Sequence, residues 1–266
     1  MLLAIDIGNT NISLGVYDRK NLIAHWRMAT DCRQTSDEYG VLSRQMFALS
    51  QIDCRKIEAV IVASVVPSLN FTFQKLAKGY FGCSAIFVDG TLDLGIKILY
   101  NPPSAVGADR LVEAVAAVEL YGAPCIVADF GTATTFDAIN SKCEYLGGVI
   151  APGITISSDV LFERAAKLPR VEIKKPESVI GDSTVGSIQS GLYYGYAGLV
   201  DGILRRMISE LGEKPKVVGT GGLAGLISEA SELIEIVNDS LMLEGLCLIY
   251  EKIKTTEKGK RIKENV

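Results

Sequence analysis

Histidine is almost missing from this chain of 266 residues: His25 is the only one. A Ser-His-Asp or Cys-His scheme would have to be built on that single residue. A zinc site of the usual kind needs more His or Cys in register than the chain offers. Any metal is therefore expected to be a hard cation held by oxygen. His25 stands mid-strand in LIAHWRM and reads as a half-buried strand residue. The six cysteines (32, 54, 83, 125, 143, 247) include no CxxC pair, so they read as reduced thiols of a cytoplasmic protein. No apolar run approaches the roughly 18 residues of a membrane helix. The opening LLAI is too short and too soon acidic for a signal peptide. Positive charge is not in excess either: the net charge of −4 gives no electrostatic case for nucleic acid. The basic end, Lys252 to Lys263, reads as a solvated tail. A G-x-x-x-x-G-K-[ST] motif is absent, which excludes a P-loop.

What is present is a repeated α/β pattern. The chain is 48% hydrophobic, ample for a packed core. Leu2 to Asp6 reads as an apolar strand, and Gly8 to Thr10 as a turn. Ile12, Leu14 and Val16 alternate as in a second strand, YDRKN turns, and LIAHWRM is a third. A helix is expected from Ser36, as cap, to Ser50. The buried strand IEAVIVASVVP follows, ended by Pro67, then a helix from Ser68 to about Gly79. The second half repeats the order. CIVAD ends in Asp129, FGTAT turns, TFDAI alternates, NSKCE turns and YLGGVIAPG is a third strand. A helix is expected over Ser187 to Leu211, and KPKVVGTGGLAGLI gives a strand, a turn and a helix start. Asp6 and Asp129 are 123 residues apart, as are Gly8 and Gly131, Asn9 and Thr132, and Asn11 and Thr134. The repeat implies a duplicated α/β fold with two similar lobes, residues 1–117 and 118–266. A helix through Leu111, Val115 and Val118 would join them. A final helix, about Ser240 to Lys254, would pack back between the lobes.

An Asp-x-Gly turn at a strand end has chemical uses. Its glycine lets backbone approach a ligand, and nearby N–H groups and Asn or Thr side chains can bind phosphate oxygens. The carboxylate repels phosphate unless a cation bridges the two. Two such turns in register favour a nucleotide-phosphate cleft with a metal over two ordinary hairpin entries. GTGGLA, at 219–224, formally fits a dinucleotide fingerprint but closes a lobe instead of opening one. It reads either as a small-residue floor under a nucleotide or as close helix-strand packing. In NPPSAVGADR, Pro102 and Pro103 forbid a helix before Ser104, and Asp109 and Arg110 fall in the first turn of the joining helix. The helix dipole would keep Asp109 ionised to accept a hydroxyl proton, with Arg110 holding an anion such as a carboxylate. Equally, the two are a helix-start charge and its partner. In GDSTVGSIQSG, Thr184 and Ser187 read as helix caps or as substrate contacts.

DIGNTNISLG, NPPSAVGADR and DFGTATTFD occur in that order, with GGVIAPG and GDSTVGSIQSG in support. With these segments the chain resembles the type III pantothenate kinases over nearly its whole length, to about residue 250. The resemblance implies an α/β fold of two ribonuclease-H-like lobes of the actin-like ATPase superfamily around a nucleotide cleft. The implied activity is ATP-dependent phosphorylation of pantothenate to 4′-phosphopantothenate, the first step of coenzyme A synthesis. It implies ATP contacts from Asp6, Ile7, Gly8, Asn9, Thr10, Asn11, Ile12 and Ser13, with Asp6 near Mg²⁺, and a further ATP contact from Thr132. Asp109 would be the general base. Tyr100, Gly107, Ala108, Arg110 and Thr184 would bind pantothenate, with Thr184 supplied by the partner in a homodimer. Asp129 would hold a monovalent cation, K⁺ or NH₄⁺. Neither nucleic acid nor a membrane is expected as a partner.

Overall fold

A computed structural model describes residues 1–264, and from residue 257 onward the backbone alone. The side chains of most of the basic tail therefore lie outside the described residues. In chain order the elements are β1 (Leu2–Ile7), β2 (Asn11–Asp18), β3 (Asn21–Ala29), α1 (Ser36–Leu49), β4 (Ala59–Ser64), α2 (Pro67–Phe81) and β5 (Ala85–Phe87). There follow β6 (Lys97–Ile98), α3 (Ala108–Tyr121), β7 (Cys125–Phe130), β8 (Ala133–Ile139), β9 (Glu144–Pro152) and α4 (Ile154–Arg164). The chain ends with α5 (Thr184–Leu211), β10 (Lys216–Thr220), α6 (Ala224–Ser228), β11 (Ile236–Val237) and α7 (Leu241–Glu264).

The chain divides into two compact units. The first comprises Met1–Gly95, Asn101–Ala116 and Met242–Val266; the second comprises Ile96–Tyr100 and Ala117–Leu241. The first unit has a five-stranded sheet in the order β3-β2-β1-β4-β5. β1–β2 and β2–β3 pair antiparallel, β1–β4 and β4–β5 parallel. The second unit's sheet runs β11-β10-β7-β8-β9-β6. Its β9-β8-β7-β10-β11 portion repeats the first sheet in order and in strand direction, and β6 adds an edge strand parallel to β9. This is the duplicated ribonuclease-H-like fold. β1 and β7 are central strands buried on both faces, so they read as unbroken apolar runs until a half-buried aspartate, Asp6 or Asp129, near the end.

The repeat is offset inside the turns. Asp6 lies opposite Ser13, but Asp129 lies opposite Thr135, one position short of a constant 123-residue spacing. Likewise the Gly8 N–H donates to Asn11 O at 3.0 Å, and the Gly131 N–H to Ala133 O at 3.1 Å. The second turn is therefore one residue tighter, and Asn11 and Thr134 are not structural equivalents.

Other differences from the sequence reading have local causes. Thr35, not Ser36, caps α1: its side chain accepts from the Glu38 N–H, and its own N–H donates to Glu38 Oε2 at 2.7 Å. This reciprocal capping box needs the acidic residue three places on. Pro67 does not end the strand but opens α2, where its missing N–H costs nothing. A single 3₁₀ turn forms at Pro103–Ala105, because proline tolerates the first turn of a helix. Ser183 caps α5, which begins at Thr184 instead of Ser187. His25 is exposed, on the edge strand β3. The units also differ from lobes of 1–117 and 118–266. β6 hydrogen-bonds to β9, and so joins the second unit. α7 from Met242 joins the first, where its Gly245 packs so tightly that a Cβ would meet Val112 O at 2.6 Å.

Each unit has its own core. Leu3, Ile5, Ile7, Ile12, Leu14, Tyr39, Phe47, Val60, Val62 and Phe73 meet in the first; Ile126, Ala128, Phe130, Phe136, Val200 and Leu204 meet in the second.

Candidate functional site

In the first unit, β1 carries Asp6 to the end of the sheet, where the backbone turns through Gly8, Asn9 and Thr10. The Thr30 hydroxyl pins that turn by donating to Gly8 O at 2.6 Å. A Cβ on Gly8 would stand 3.0 Å from Asn11 O, so a side chain there would press on the turn. Asn9, Thr10 and Asn11 are exposed and Asp6 and Ser13 half-buried, as a polar ligand requires. Ile7 and Ile12 differ: both side chains are fully buried in the core, so only their backbone is open to a ligand.

The Gly107–Arg110 segment belongs to the same unit. Leu111 N–H donates to Gly107 O at 3.2 Å, which starts α3 and leaves Asp109 in its first turn. The Asp109 carboxylate folds back over the helix start and accepts the Arg110 N–H at 2.8 Å. A Cβ on Gly107 would be 2.3 Å from Asp109 Oδ1, closer than atoms tolerate. The same point is 3.6 Å from Val65 Cγ1, so Val65, just past β4, stands beside the carboxylate. Val65 N–H donates to Ile7 O at 3.0 Å, tying that residue to the Asp6 strand. Ala108 and Arg110 are buried. Burial pushes the Asp109 carboxyl above the usual carboxylate range; the Arg110 N–H and guanidinium pull it down, and burial prevails. The helix dipole alone is thus a poor guide to this group. A carboxyl raised in this way is, when ionised, a stronger base towards an alcohol.

In the second unit, β7 delivers Asp129 to the equivalent corner. Its carboxylate lies between two glycine backbones: a Cβ on Gly131 would be 3.3 Å from Oδ2, and one on Gly221 would be 2.3 Å from Oδ1. Gly221 has φ of 88°, which also favours glycine. GTGGLA therefore provides close packing at Gly221, while a Cβ on Gly222 would meet nothing within 4 Å. Thr132, in the turn, is exposed. Behind it the Tyr196 hydroxyl bonds the Thr134 hydroxyl and donates to Pro152 O at 3.2 Å. Tyr100 lies over Gly147, whose missing side chain makes room for the ring: a Cβ there would be 3.2 Å from Tyr100 Cδ2. Thr184, in the first turn of α5, lines an open depression of about 850 Å³ with Leu161, Gly181, Ser183 and Ser187; Tyr100 is not part of that lining.

The structure thus gathers Gly107, Ala108, Asp109 and Arg110 into one segment, near the Asp6 corner through Val65. Tyr100, Asp129, Thr132 and Thr184 belong to the second unit. Sequence reasoning missed Thr30, Val65 and the buried Glu113, one helical turn beyond Asp109, and reached Gly221 only as part of GTGGLA. Only Glu113 left a signal, as a lone acid in a run of Leu, Val and Ala.

Among the described residues, no three His, Cys, Asp or Glu side chains are grouped to hold a metal. Asp6 and Asp129 can each offer carboxylate oxygen to a hard cation whose other ligands are phosphates, carbonyls or water. That is how Mg²⁺ is held beside nucleotides. The buried thiols of Cys125 and Cys247, pushed up to about 12 and about 11 by burial, are no nucleophiles at neutral pH.

The fold is a duplicated ribonuclease-H-like one, with an aspartate near the end of the equivalent strand in each half. Consistent with this, a ROK hexokinase from Thermus thermophilus superposes with a TM-score of 0.51 at 13% identity, covering 96% of this chain and 99% of that one. The sequence profile of the type III pantothenate kinases matches residues 2–206. A type III pantothenate kinase of Koribacter versatilis is 51% identical over 262 residues, 95% of this chain and 96% of that protein. One from an Anaeromyxobacter species is 54% identical over 252 residues, 95% of this chain and 99% of that protein. The chain belongs to the type III pantothenate kinase family.

Proposed function

We propose that the protein transfers the γ-phosphoryl group of ATP to the primary hydroxyl of pantothenate, with Asp109 as general base. The observation that carries this reading is the Asp109 carboxylate, held over the start of α3 in space that Gly107 leaves open. The alcohol gives its proton to Asp109 as its oxygen bonds to the γ-phosphorus. The bond from that phosphorus to the β–γ bridging oxygen breaks, and ADP leaves. Such a transfer is mostly positioning and charge stabilisation. Arg110 binds the pantothenate carboxylate with its guanidinium fork. Asn9 to Asn11 offer polar groups to the ATP phosphates, Gly8 lets them approach the turn, and Thr132 adds a contact. Tyr100 and Thr184 bind pantothenate. Asp6 would hold Mg²⁺ and Asp129 K⁺ or NH₄⁺; these cations offset the charge of the triphosphate.

A homodimer fits the second unit. Leu161, which lines the Thr184 depression, is exposed, as are Val160, Phe162, Ile180 and Val185, each next in sequence to a residue of that lining. Apolar surface clustered in this way marks a covered face, and a second copy would bring Thr184 to its partner's site. Reduced cysteines and a substrate of central metabolism fit a cytoplasmic enzyme. Among the described residues, no helix is long and apolar enough to cross a membrane.

The test is incubation of the protein with ATP, Mg²⁺, K⁺ and pantothenate, followed by mass spectrometry of the product. A singly phosphorylated pantothenate is expected; ATP hydrolysis without that product would refute the reading.

A further inference from the structure

The first unit buries two charged residues among its described side chains, and they have opposite signs. Arg110 is 7% exposed and Glu113 is 4% exposed. Both lie on α3, three residues apart, a spacing that puts side chains on one helix face. Around them Leu111, Val112, Ala114, Val115 and Ala116 are fully buried and apolar. The side of α3 bearing Val112 and Ala116 is filled by α7 at Gly245, which leaves Glu113 to a different flank. Both residues take part in polar or electrostatic interactions. Charged side chains are almost never fully buried unless paired. A guanidinium and a carboxylate one turn apart in an apolar helix are spaced to pair with each other.

We infer that Glu113 is a positioning residue for Arg110: its carboxylate takes one edge of the guanidinium and fixes the other towards the substrate carboxylate. The inference rests on the reading that Arg110 binds that group. Lysine would not replace arginine here, because only the planar fork can serve two carboxylates along two edges. Glu113 itself touches neither substrate nor phosphate.

The sign of one kinetic change separates positioning from simple charge balance. Removing a negative charge beside Arg110 would, by Coulomb attraction alone, tighten binding of an anionic substrate. Loss of positioning would weaken it. The experiment compares wild type, Glu113→Gln and Glu113→Asp in steady-state kinetics with pantothenate and with pantothenyl alcohol, in which CH₂OH replaces the carboxylate. Glu113→Gln should raise KM for pantothenate about tenfold, with KM for ATP unchanged and no such rise for pantothenyl alcohol. Glu113→Asp keeps the charge but withdraws it by one methylene, and should give an intermediate KM; it serves alone if the glutamine variant fails to fold. A pantothenate KM that falls or stays at the wild-type value, or an equal rise with both acceptors, would overturn the inference. Wild type that does not phosphorylate pantothenate would instead refute the underlying function.

Discussion

Gly107 and Asp109 form one device: a Cβ on Gly107 would stand 2.3 Å from Asp109 Oδ1. The glycine is needed for the space it leaves to the carboxylate. Gly107→Ala should therefore rotate Asp109 out of place. The expected result is a fall in kcat of about 10²-fold or more with little change in ATP affinity, as for loss of a general base. Kinetics and ATP titration check it. Unchanged kcat would show that the carboxylate acts from another rotamer.

Burial raises the Asp109 pKa, and this has two consequences of known sign. As the proposed base, Asp109 would work ionised, so kcat/KM should fall towards acid along a single-proton limb. Its midpoint should lie above about 4, the ordinary aspartate value. A pKa raised in the fold gives stability that is fully present below the unfolded-state value and is lost as pH rises through the folded-state value. Once ionised, the buried group costs the fold. Asp109→Asn should then melt at or above the wild-type temperature in the absence of substrates. A lower melting temperature would contradict this balance.

Gly221 approaches Asp129 as Gly107 approaches Asp109, and adds a positive φ. Gly221→Ala should cost about 1–3 kcal/mol of stability, from backbone strain and crowding. It should also weaken activation by monovalent cation, by displacing the carboxylate. Gly222→Ala, whose Cβ meets nothing within 4 Å, should leave the melting temperature unaltered. Equal melting temperatures for the two variants would remove the packing role from Gly221.

Asp129 is proposed to hold K⁺ or NH₄⁺. Initial rates in K⁺ and NH₄⁺ buffers should exceed those in Na⁺ several-fold, because a larger ion suits loosely spaced oxygen ligands. Asp129→Asn should erase the difference. Equal rates in all three salts for the wild type would exclude the cation site.

Four strands of each sheet were legible in the sequence; β5, β6 and β11 were not, because two or three residues are too few to show a period. LLAIDI and CIVADF are apolar runs, and β2 and β8 alternate. What periodicity could not reveal was the register beyond each Asp-x-Gly turn. Asn11 and Thr134 align by number, yet the ladder slips by one residue, since turn length is set by backbone geometry that many sequences satisfy. The same limit hid Thr35, whose capping depends on Glu38 returning the bond. At the site, the carboxylates and the Asp-x-Gly turns could be named from sequence. The crowding around them could not: Gly221 meets Asp129 only because β10 and β7 pair with Thr220 beside Asp129. Val65 meets Gly107 through a crossover between distant segments. The buried state of Arg110 and Glu113 likewise depends on packing, because charged residues near a helix start are usually exposed.

The proton acceptor is tested most directly by single-turnover phosphorylation of pantothenate by Asp109→Asn, with ATP binding measured on the same preparation. Phosphoryl transfer slowed by about 10²-fold or more, with ATP affinity near the wild-type value, is the expected outcome. Transfer at the wild-type rate would contradict the account.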